Sequence, residues 1–302
     1  MKVLITGAGG FLGSHLIMYL KKIPNKNFKI FNLGRSEVKN SKLLYLDNIN
    51  NKESINQHIL ELKPDYIFHL AGSSNMSADF AQSKLVNTDY SKFILDAIQI
   101  NNLQHETKIL ITGSSAEYGK VNDLQLPISE HLIPNPESIY GKTKYKQTIN
   151  AISWQKPNKS LVVVRPFNII GSKMPIHLAL GSFINQIETI NNKGILKTGN
   201  LDTKRDFIDV NDVIKLMWKL INNSKAYGEI VNICSNKAVK ISDILDLVIK
   251  LSGKDITVVN EETRMRKNDV TIHFGNNSKL IKIIGDYKFT SWENTIHNIM
   301  AN

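Results

Sequence analysis

At 302 residues, with 42% hydrophobic and 22% charged side chains, the chain has ordinary globular usage for one large domain or two, which excludes disordered, collagen-like and coiled-coil classes. A net charge of +11 favours anionic ligands, phosphate before DNA: the lysines are scattered and no helix-turn-helix, finger or aromatic stacking motif joins them, so no nucleic acid is expected. No apolar run reaches the roughly 20 residues that span a bilayer, so no membrane partner is expected either.

The opening Met1-Lys2-Val3-Leu4-Ile5 is interrupted at once by glycines and reads as a folding element, not an export signal. Residues 2–6 predict a strand, 7–13 a glycine loop, and 11–21 a helix that stops before Pro24. In Thr6-Gly7-Ala8-Gly9-Gly10-Phe11-Leu12-Gly13 the missing side chains permit a tight turn and close approach of backbone to a pyrophosphate. The helix N-terminus then presents free N–H groups to the phosphates. Gly7, Gly10, Phe11, Leu12 and Gly13 are the expected dinucleotide contacts.

A second strand over 28–33 runs into Gly34-Arg35-Ser36, where an NAD-preferring protein usually offers an acid to the adenosine ribose. Arg35 and Ser36 suit a 2′-phosphate instead, so NADP(H) is preferred, with NAD(H) as the alternative. Asp47, past a strand over 42–46, is a candidate for the adenine amino group, and a cap or loop role suits it equally. Helices are predicted over 52–62 and 87–100, and strands over 66–71, 109–112 and 161–165. This alternation implies a Rossmann-like, doubly wound parallel sheet of the α/β class. After Gly171 the rhythm changes to a helix over 180–191, a strand over 229–234 and a helix over 242–251, read as a smaller interleaved α/β substrate-binding lobe. The expected division is a dinucleotide-binding domain over 1–170, with return segments near 205–235, and a mainly substrate-binding lobe over 171–302.

Three tempting features have plain expectations. His69 on an apolar strand should be core, and Met217 and Trp218 in an apolar helix should be packing. Cys234, the single cysteine, can form no internal disulfide or thiolate metal cage and suits a reducing, cytoplasmic compartment. The eight histidines show no metal-ligand spacing, so no metal is expected.

Tyr140-Gly141-Lys142-Thr143-Lys144 places a phenol and an ammonium four positions apart on one helix face. It follows a strand running into Thr112-Gly113-Ser114-Ser115-Ala116-Glu117-Tyr118-Gly119, which brings the Ser114 hydroxyl to the ligand-binding edge of such a sheet. A charged Lys144 beside the phenol should stabilise phenolate and draw its pKa from about 10 toward neutrality. Tyr140 would then exchange a proton with a substrate oxygen that Ser114 holds and polarises.

These marks, together with Phe68-His69-Leu70-Ala71-Gly72, Asn87 and Arg165-Pro166-Phe167-Asn168, resemble the extended short-chain dehydrogenase/reductases that act on nucleotide sugars. The resemblance implies hydride transfer at a sugar carbon, with Ser114, Tyr140 and Lys144 catalytic and Asn87 organising a proton relay. It also implies that Leu70, Ala71, Gly72, Tyr140 and Lys144 line the cofactor. Gly199 to Val210 and Val231 to Ser235 are similar to the branch that reduces GDP-4-keto-6-deoxy sugars, with GDP-D-rhamnose or a 6-deoxyheptose analogue as product. CDP-, dTDP- or UDP-sugar reduction, 4-epimerisation and non-catalytic NADPH sensing are the alternatives. Asn168, Arg205 and Arg266 become the expected contacts for the GDP phosphates and ribose, guanidinium groups suiting phosphate oxygens. Arg205 has the alternative of an ion pair with Asp206 or Asp209. Ser115 and Ala116 stand where sugar-nucleotide dehydratases of the family carry an acidic pair, which disfavours dehydration. The family's usual homodimer would use the helices over 87–100 and 140–152.

Overall fold

The computed structural model describes residues 1–74, 79–155, 160–264 and 270–301, without the side chain of Gln155. The first half alternates strand and helix: β1 (Lys2–Thr6), α1 (Phe11–Lys22), β2 (Lys29–Gly34), β3 (Lys42–Tyr45), α2 (Lys52–Leu62) and β4 (Tyr66–His69). It continues through α3 (Phe80–Lys84), a π-helical turn (Leu85–Asp89), α4 (Tyr90–Ile100), β5 (Lys108–Thr112), α5 (Ile139–Gln155) and β6 (Leu161–Pro166). The second half runs β7 (Asn168–Ile170), α6 (Ala179–Thr189), β8 (Lys193–Thr198), β9 (Lys204–Arg205), β10 (Phe207–Asp209) and α7 (Val210–Ile221). It ends with β11 (Ile230–Ile233), β12 (Val239–Lys240), α8 (Ile241–Ser252), β13 (Asp255–Asn260), β14 (Ile272–His273), α9 (Ser278–Ile284) and α10 (Trp292–Met300).

Among the described residues one parallel sheet has the order β11-β6-β5-β4-β1-β2-β3. β1 pairs with β2 on one side and β4 on the other, so the loops after β1 and β4 part at a topological switch point, where such sheets bind ligands. Central strands buried on both faces need near-continuous apolar runs, and Val3, Leu4 and Ile5 of β1 and Leu161 to Val164 of β6 are all fully buried. One face packs Val3, Ile5, Phe68, Leu110 and Val164 against Leu16 and Leu20 of α1 and Val213, Met217 and Leu220 of α7. The other packs Leu4, Ile67, Ile109 and Ile111 against Ile55, Ile59, Ile94, Ile98 and Ala151 from α2, α4 and α5.

A separate core of Leu180, Phe183, Leu245, Val248 and Ile296 joins α6, α8 and α10. Short strands accompany it: β7 beside β10, β8 beside β13, and β9 between β12 and β14. The chain crosses back when β11 adds to the edge of the large sheet beside β6.

Expected boundaries hold within a residue or two except before α4. There the helix starts at Phe80, capped by the Asp79 carboxylate accepting from the Gln82 N–H, and widens into the π turn holding Asn87. The strand expected over 66–71 ends at His69, because Leu70 already turns out of the sheet toward the glycine loop. His69 is fully buried, Trp218 packs on Phe28, Tyr66 and Phe68, and Cys234 is buried beside Phe167.

Candidate active site

Because the sheet is parallel, the loops after β1, β4, β5 and β6 leave from one edge and bring Gly7, Ala71, Ser114 and Asn168 there. Gly7 has φ +71°, and a Cβ on it would lie 2.7 Å from the Ala71 N, so two loops meet backbone to backbone. A Cβ on Gly13 would overlap the Gly7 carbonyl and Ala8. Gly10 caps α1 with no side-chain bond, and no acid sits in the first turn. The N-terminal N–H groups of α1 are therefore uncapped and their dipole unopposed, as a pyrophosphate requires. Phe11, Leu12, Leu70 and Ala71 are half-buried along this edge, and Gly72 is exposed.

Arg35 and Ser36 are exposed just past β2. Asn32, buried at the end of β2, holds their loop: its Nδ2 donates to the Ser36 carbonyl at 3.0 Å, and its Oδ1 accepts from the Ser41 hydroxyl at 2.9 Å. Asp47 is exposed and is used locally, its Oδ1 accepting from Asn48 N at 2.7 Å and Asn51 Nδ2 at 3.4 Å.

Ser114 and Tyr140 come together, close enough for the Ser114 hydroxyl to hold the Tyr140 pKa down against burial. Ser114 also opens a single 3₁₀ turn as a capping box: its Oγ accepts from Ala116 N at 3.1 Å and Glu117 Oε1 accepts from Ser114 N at 2.9 Å. Beneath it Glu117, fully buried, accepts from Arg165 Nε at 2.8 Å and Nη2 at 2.7 Å, and from Thr148 Oγ1 at 3.0 Å. Lys144 is 3% exposed and donates to the Thr112 carbonyl at 2.8 Å and to Gln147 Oε1 at 3.1 Å. Burial draws its pKa down to about 8, with the Glu117 charge opposing.

The expected acidified phenol is absent here. Tyr140's pKa is raised, first by burial and further by the Glu117 charge, against the opposing Ser114 hydrogen bond, and Lys144 is not among its causes. Helical spacing puts the two groups on one face, but the long lysine side chain bends to carbonyl acceptors instead of the phenol.

Asn87 does not reach the phenol by any bond seen here. Its Oδ1 accepts from Ser73 N at 2.7 Å and its Nδ2 donates to the Ser73 carbonyl at 3.0 Å and Thr143 Oγ1 at 3.1 Å. It therefore ties the loop after β4 to α5. Behind it, Thr6 Oγ1 bonds His69 Nδ1 at 2.9 Å and accepts from Ala71 N at 3.3 Å. Burial lowers the His69 pKa to about 3, with Lys144 adding to the effect, so the ring is neutral.

On the second lobe's side Asn168 donates from Nδ2 to the Asp206 carbonyl at 3.0 Å. Arg205 is half-buried, opposite His273 in the β9–β14 ladder, with Nη1 donating to the Lys204 carbonyl at 2.9 Å. The Asp206 carboxylate accepts from Ser235 N and Oγ, Asn236 N and Gly275 N, and Asp209 caps α7 and accepts from Thr295 Oγ1. Arg266 lies outside the described residues.

Glu117, Arg165, Thr143, Thr148 and Gln147 escaped the sequence reading as parts of this site. The Ser-x-x-Glu spacing of Ser114 and Glu117 is a legible capping-box signal. Gln147, one helical turn after Lys144, is legible as its neighbour. Arg165 as the partner of Glu117 follows only from the fold.

Residues 3–234 match the NAD dependent epimerase/dehydratase family. The chain is 28% identical over 307 residues to GDP-6-deoxy-D-talose 4-dehydrogenase of Aggregatibacter actinomycetemcomitans, covering 100% of this chain and 98% of that protein. It is 26% identical over 287 residues to GDP-6-deoxy-D-mannose reductase of Pseudomonas aeruginosa, covering 92% and 89%. Among solved structures it is similar to RMD from Pseudomonas aeruginosa complexed with NADPH, with a TM-score of 0.85, 24% identity and 99% and 97% coverage. It is also similar to UDP-glucose 4-epimerase with UDP-glucose from Thermotoga maritima, with a TM-score of 0.88, 20% identity and 100% and 98% coverage. The uncapped glycine loop at a sheet switch point and a match running through most of its length place the chain in the NAD dependent epimerase/dehydratase family, as an enzyme of nicotinamide dinucleotide chemistry.

Proposed function

We propose that the chain is an NADP(H)-dependent reductase of the C4 ketone of a GDP-linked 4-keto-6-deoxyhexose. The observation that carries this is the gathering of Ser114, Tyr140 and Lys144 at the switch-point edge, the buried ammonium of Lys144 donating to the Thr112 carbonyl two residues before Ser114. NADPH, when bound, supplies the hydride, with Gly7, Gly10, Gly13, Phe11 and Leu12 at its pyrophosphate, Arg35 and Ser36 at its 2′-phosphate, Asp47 toward its adenine, and Leu70, Ala71 and Gly72 along its length. Everything else falls to side chains. Tyr140 gives its proton to the C4 oxygen, Ser114 hydrogen-bonds that oxygen, and Lys144 holds the nicotinamide ribose and balances the phenolate left behind. Asn87 fixes the loop that bounds this space, and Asn168, Arg205 and Arg266 take the GDP phosphates and ribose.

Tyr140, its pKa raised by burial, is a neutral phenol at neutral pH, the form that can donate a proton to a ketone oxygen. Dehydration needs a free acid–base pair after Ser114. Ser115 and Ala116 supply none, and Glu117 is occupied by Arg165, Ser114 and Thr148. GDP as the nucleotide is supported by two relatives named for GDP-6-deoxy sugars that align over nearly the whole chain. Their names differ in the C4 configuration of the sugar, talo against manno, so GDP-6-deoxy-D-talose stands beside GDP-D-rhamnose as product. We assign the dinucleotide to residues 1–170 and the returning 205–235, the sugar nucleotide mainly to 171–302, and the enzyme to the cytoplasm. We further assign α4 and α5, which carry exposed Ile100 and Ile149, to a homodimer contact.

The test is NADPH oxidation with freshly generated GDP-4-keto-6-deoxy-D-mannose, followed by NMR of the product's C4 proton. Tyr140→Phe should lower kcat by about 10² to 10⁴ while the NADPH Kd stays within about threefold. Turnover of CDP-, dTDP- or UDP-ketosugars alone would overturn the GDP assignment. NADPH binding without turnover of any of them would make the chain a sensor.

A further inference from the structure

Gln147 is fully buried on α5, one turn after Lys144. Its Oε1 accepts from the Lys144 ammonium at 3.1 Å, while its Nε2 finds no hydrogen-bond partner among the described residues. An ammonium only donates, so the amide oxygen must be the atom that faces it. Burying an amide with its nitrogen unpaired costs folding stability, which an apolar side chain at this place would avoid. The contact retained in exchange is the one to Lys144.

That ammonium has three N–H groups. The Thr112 carbonyl takes one at 2.8 Å and Gln147 takes another. Nζ also borders exposed Gly72, where a Cβ would lie 3.0 Å from Nζ and 3.3 Å from Asn87 Oδ1. The absent side chain leaves open the space on that side of the nitrogen.

We propose that Gln147 is a positioning residue for Lys144: with the Thr112 carbonyl it fixes two ammonium N–H groups, so that the third is aimed at the opening beside Gly72. Resting on the function proposed above, that opening is where the cofactor ribose and the Tyr140 phenol meet. A lysine side chain alone has several rotamers of similar energy, and two fixed acceptors select one of them. Other groups act on this nitrogen as well. The neutral His69 of β4 and the Glu117 carboxylate below Ser114 both interact with it, Glu117 being paired with Arg165 of β6, and Tyr140 shares its helix.

The two informative variants are Gln147→Met, similar in size but without an acceptor, and Gln147→Glu, which keeps an acceptor and adds charge. In the full ligand-free chain, the Lys144 ε-carbon, labelled with ¹³C and assigned with Lys144→Met, is titrated by NMR. Its midpoint should fall by about half a unit or more in Gln147→Met and rise by about one unit in Gln147→Glu. In steady-state reduction, Gln147→Met should lose about tenfold in kcat with the ketosugar KM within about twofold, and Gln147→Glu should recover most of that loss. A residue that only fills space would leave the midpoint and kcat of Gln147→Met near those of the parent chain, whereas the added charge of Gln147→Glu raises the midpoint in any case, so an unmoved Gln147→Met overturns the proposal. Should Gln147→Met not fold, Gln147→Leu, which also lacks an acceptor, takes its place with the same expected fall in midpoint and kcat, and their absence is refutation. Midpoints that move as stated in a chain that reduces no ketosugar would sink the proposed function and leave the positioning role standing. Unmoved midpoints in an active chain would do the reverse.

Discussion

Replacing Glu117 with Gln isolates one charge at the base of the site. Glutamine keeps the volume and an oxygen that can still accept from Ser114 N and Thr148 Oγ1, the partners now at 2.9 and 3.0 Å. It leaves Arg165, 1% exposed, facing an amide instead of the carboxylate oxygen that accepts from its Nε and Nη2 at 2.8 and 2.7 Å. Removing one member of a buried ion pair costs about 3–5 kcal/mol, because the other charge stays desolvated without compensation. With an unfolding entropy of about 2.1 cal/mol/K per residue over 302 residues, a loss of about 4 kcal/mol lowers Tm by about 6 °C. Urea unfolding of Glu117→Gln, Arg165→Met and the double variant measures this directly. The double variant should recover most of the loss, since neither charge remains. A loss below about 1 kcal/mol in Glu117→Gln, or a double variant whose loss equals the sum of the two single losses, would show that the pair is not coupled as the geometry requires.

Arg35→Ala should raise the NADPH Kd by about tenfold to a hundredfold and the NADH Kd by less than about threefold, measured by nicotinamide fluorescence, because a charge-assisted phosphate contact is lost for one cofactor only. Gly13→Ala should cost about 3 kcal/mol of stability and abolish dinucleotide binding, as its methyl would overlap the Gly7 carbonyl; thermal unfolding with and without NADPH reads both effects. The His69 pKa of about 3 lies below its ordinary 6.5, so the unfolded chain binds the extra proton and stability falls as pH drops from about 6.5 to about 3. Over that window His69 should contribute about 5 kcal/mol of acid destabilisation. In His69→Asn, whose amide can still bond Thr6, the acid limb of urea stability against pH should flatten by about one proton, and an unchanged slope would refute the assignment.

Features carried by local pattern were legible in the sequence. The helix over 52–62 was legible because its apolar residues Ile55, Ile59 and Leu62 recur at helical spacing; the structure adds Asn51 as its cap, accepting from Ser54 N. The glycine loop was legible because its spacing marks backbone approaches that other residues cannot make, as Gly7 and Gly13 show. The π turn at Leu85–Asp89 was not, since an i to i+5 turn has no local preference of its own. It coincides with Asn87 reaching both Ser73 and Thr143, contacts 14 and 56 residues apart in the chain. The raised pKa of Tyr140 departs from its local spacing for a related reason. Its spacing from Lys144 is a local fact, whereas the acceptor that captures Lys144 is the Thr112 carbonyl, 32 residues away on β5.

The corrected electrostatics explain the site better than an acidified phenol would. Burial raises the pKa of Tyr140, and one carboxylate, Glu117, adds to that rise and opposes the fall of that of Lys144. Both effects keep protons on, so at neutral pH the resting pair is a neutral phenol and a charged ammonium. The ketone reduction proposed above would use this combination, the phenol proton passing to the C4 oxygen and the ammonium balancing the phenolate that remains. An alcohol oxidation would have to start from phenolate, which the buried Glu117 charge opposes at every pH where the carboxylate is ionised. The Arg165 partner limits that opposition, since a paired carboxylate projects a weaker field than a lone one. In the reaction proposed above, burial and the Glu117 charge together would keep the proton on Tyr140 until a substrate oxygen beside Ser114 takes it.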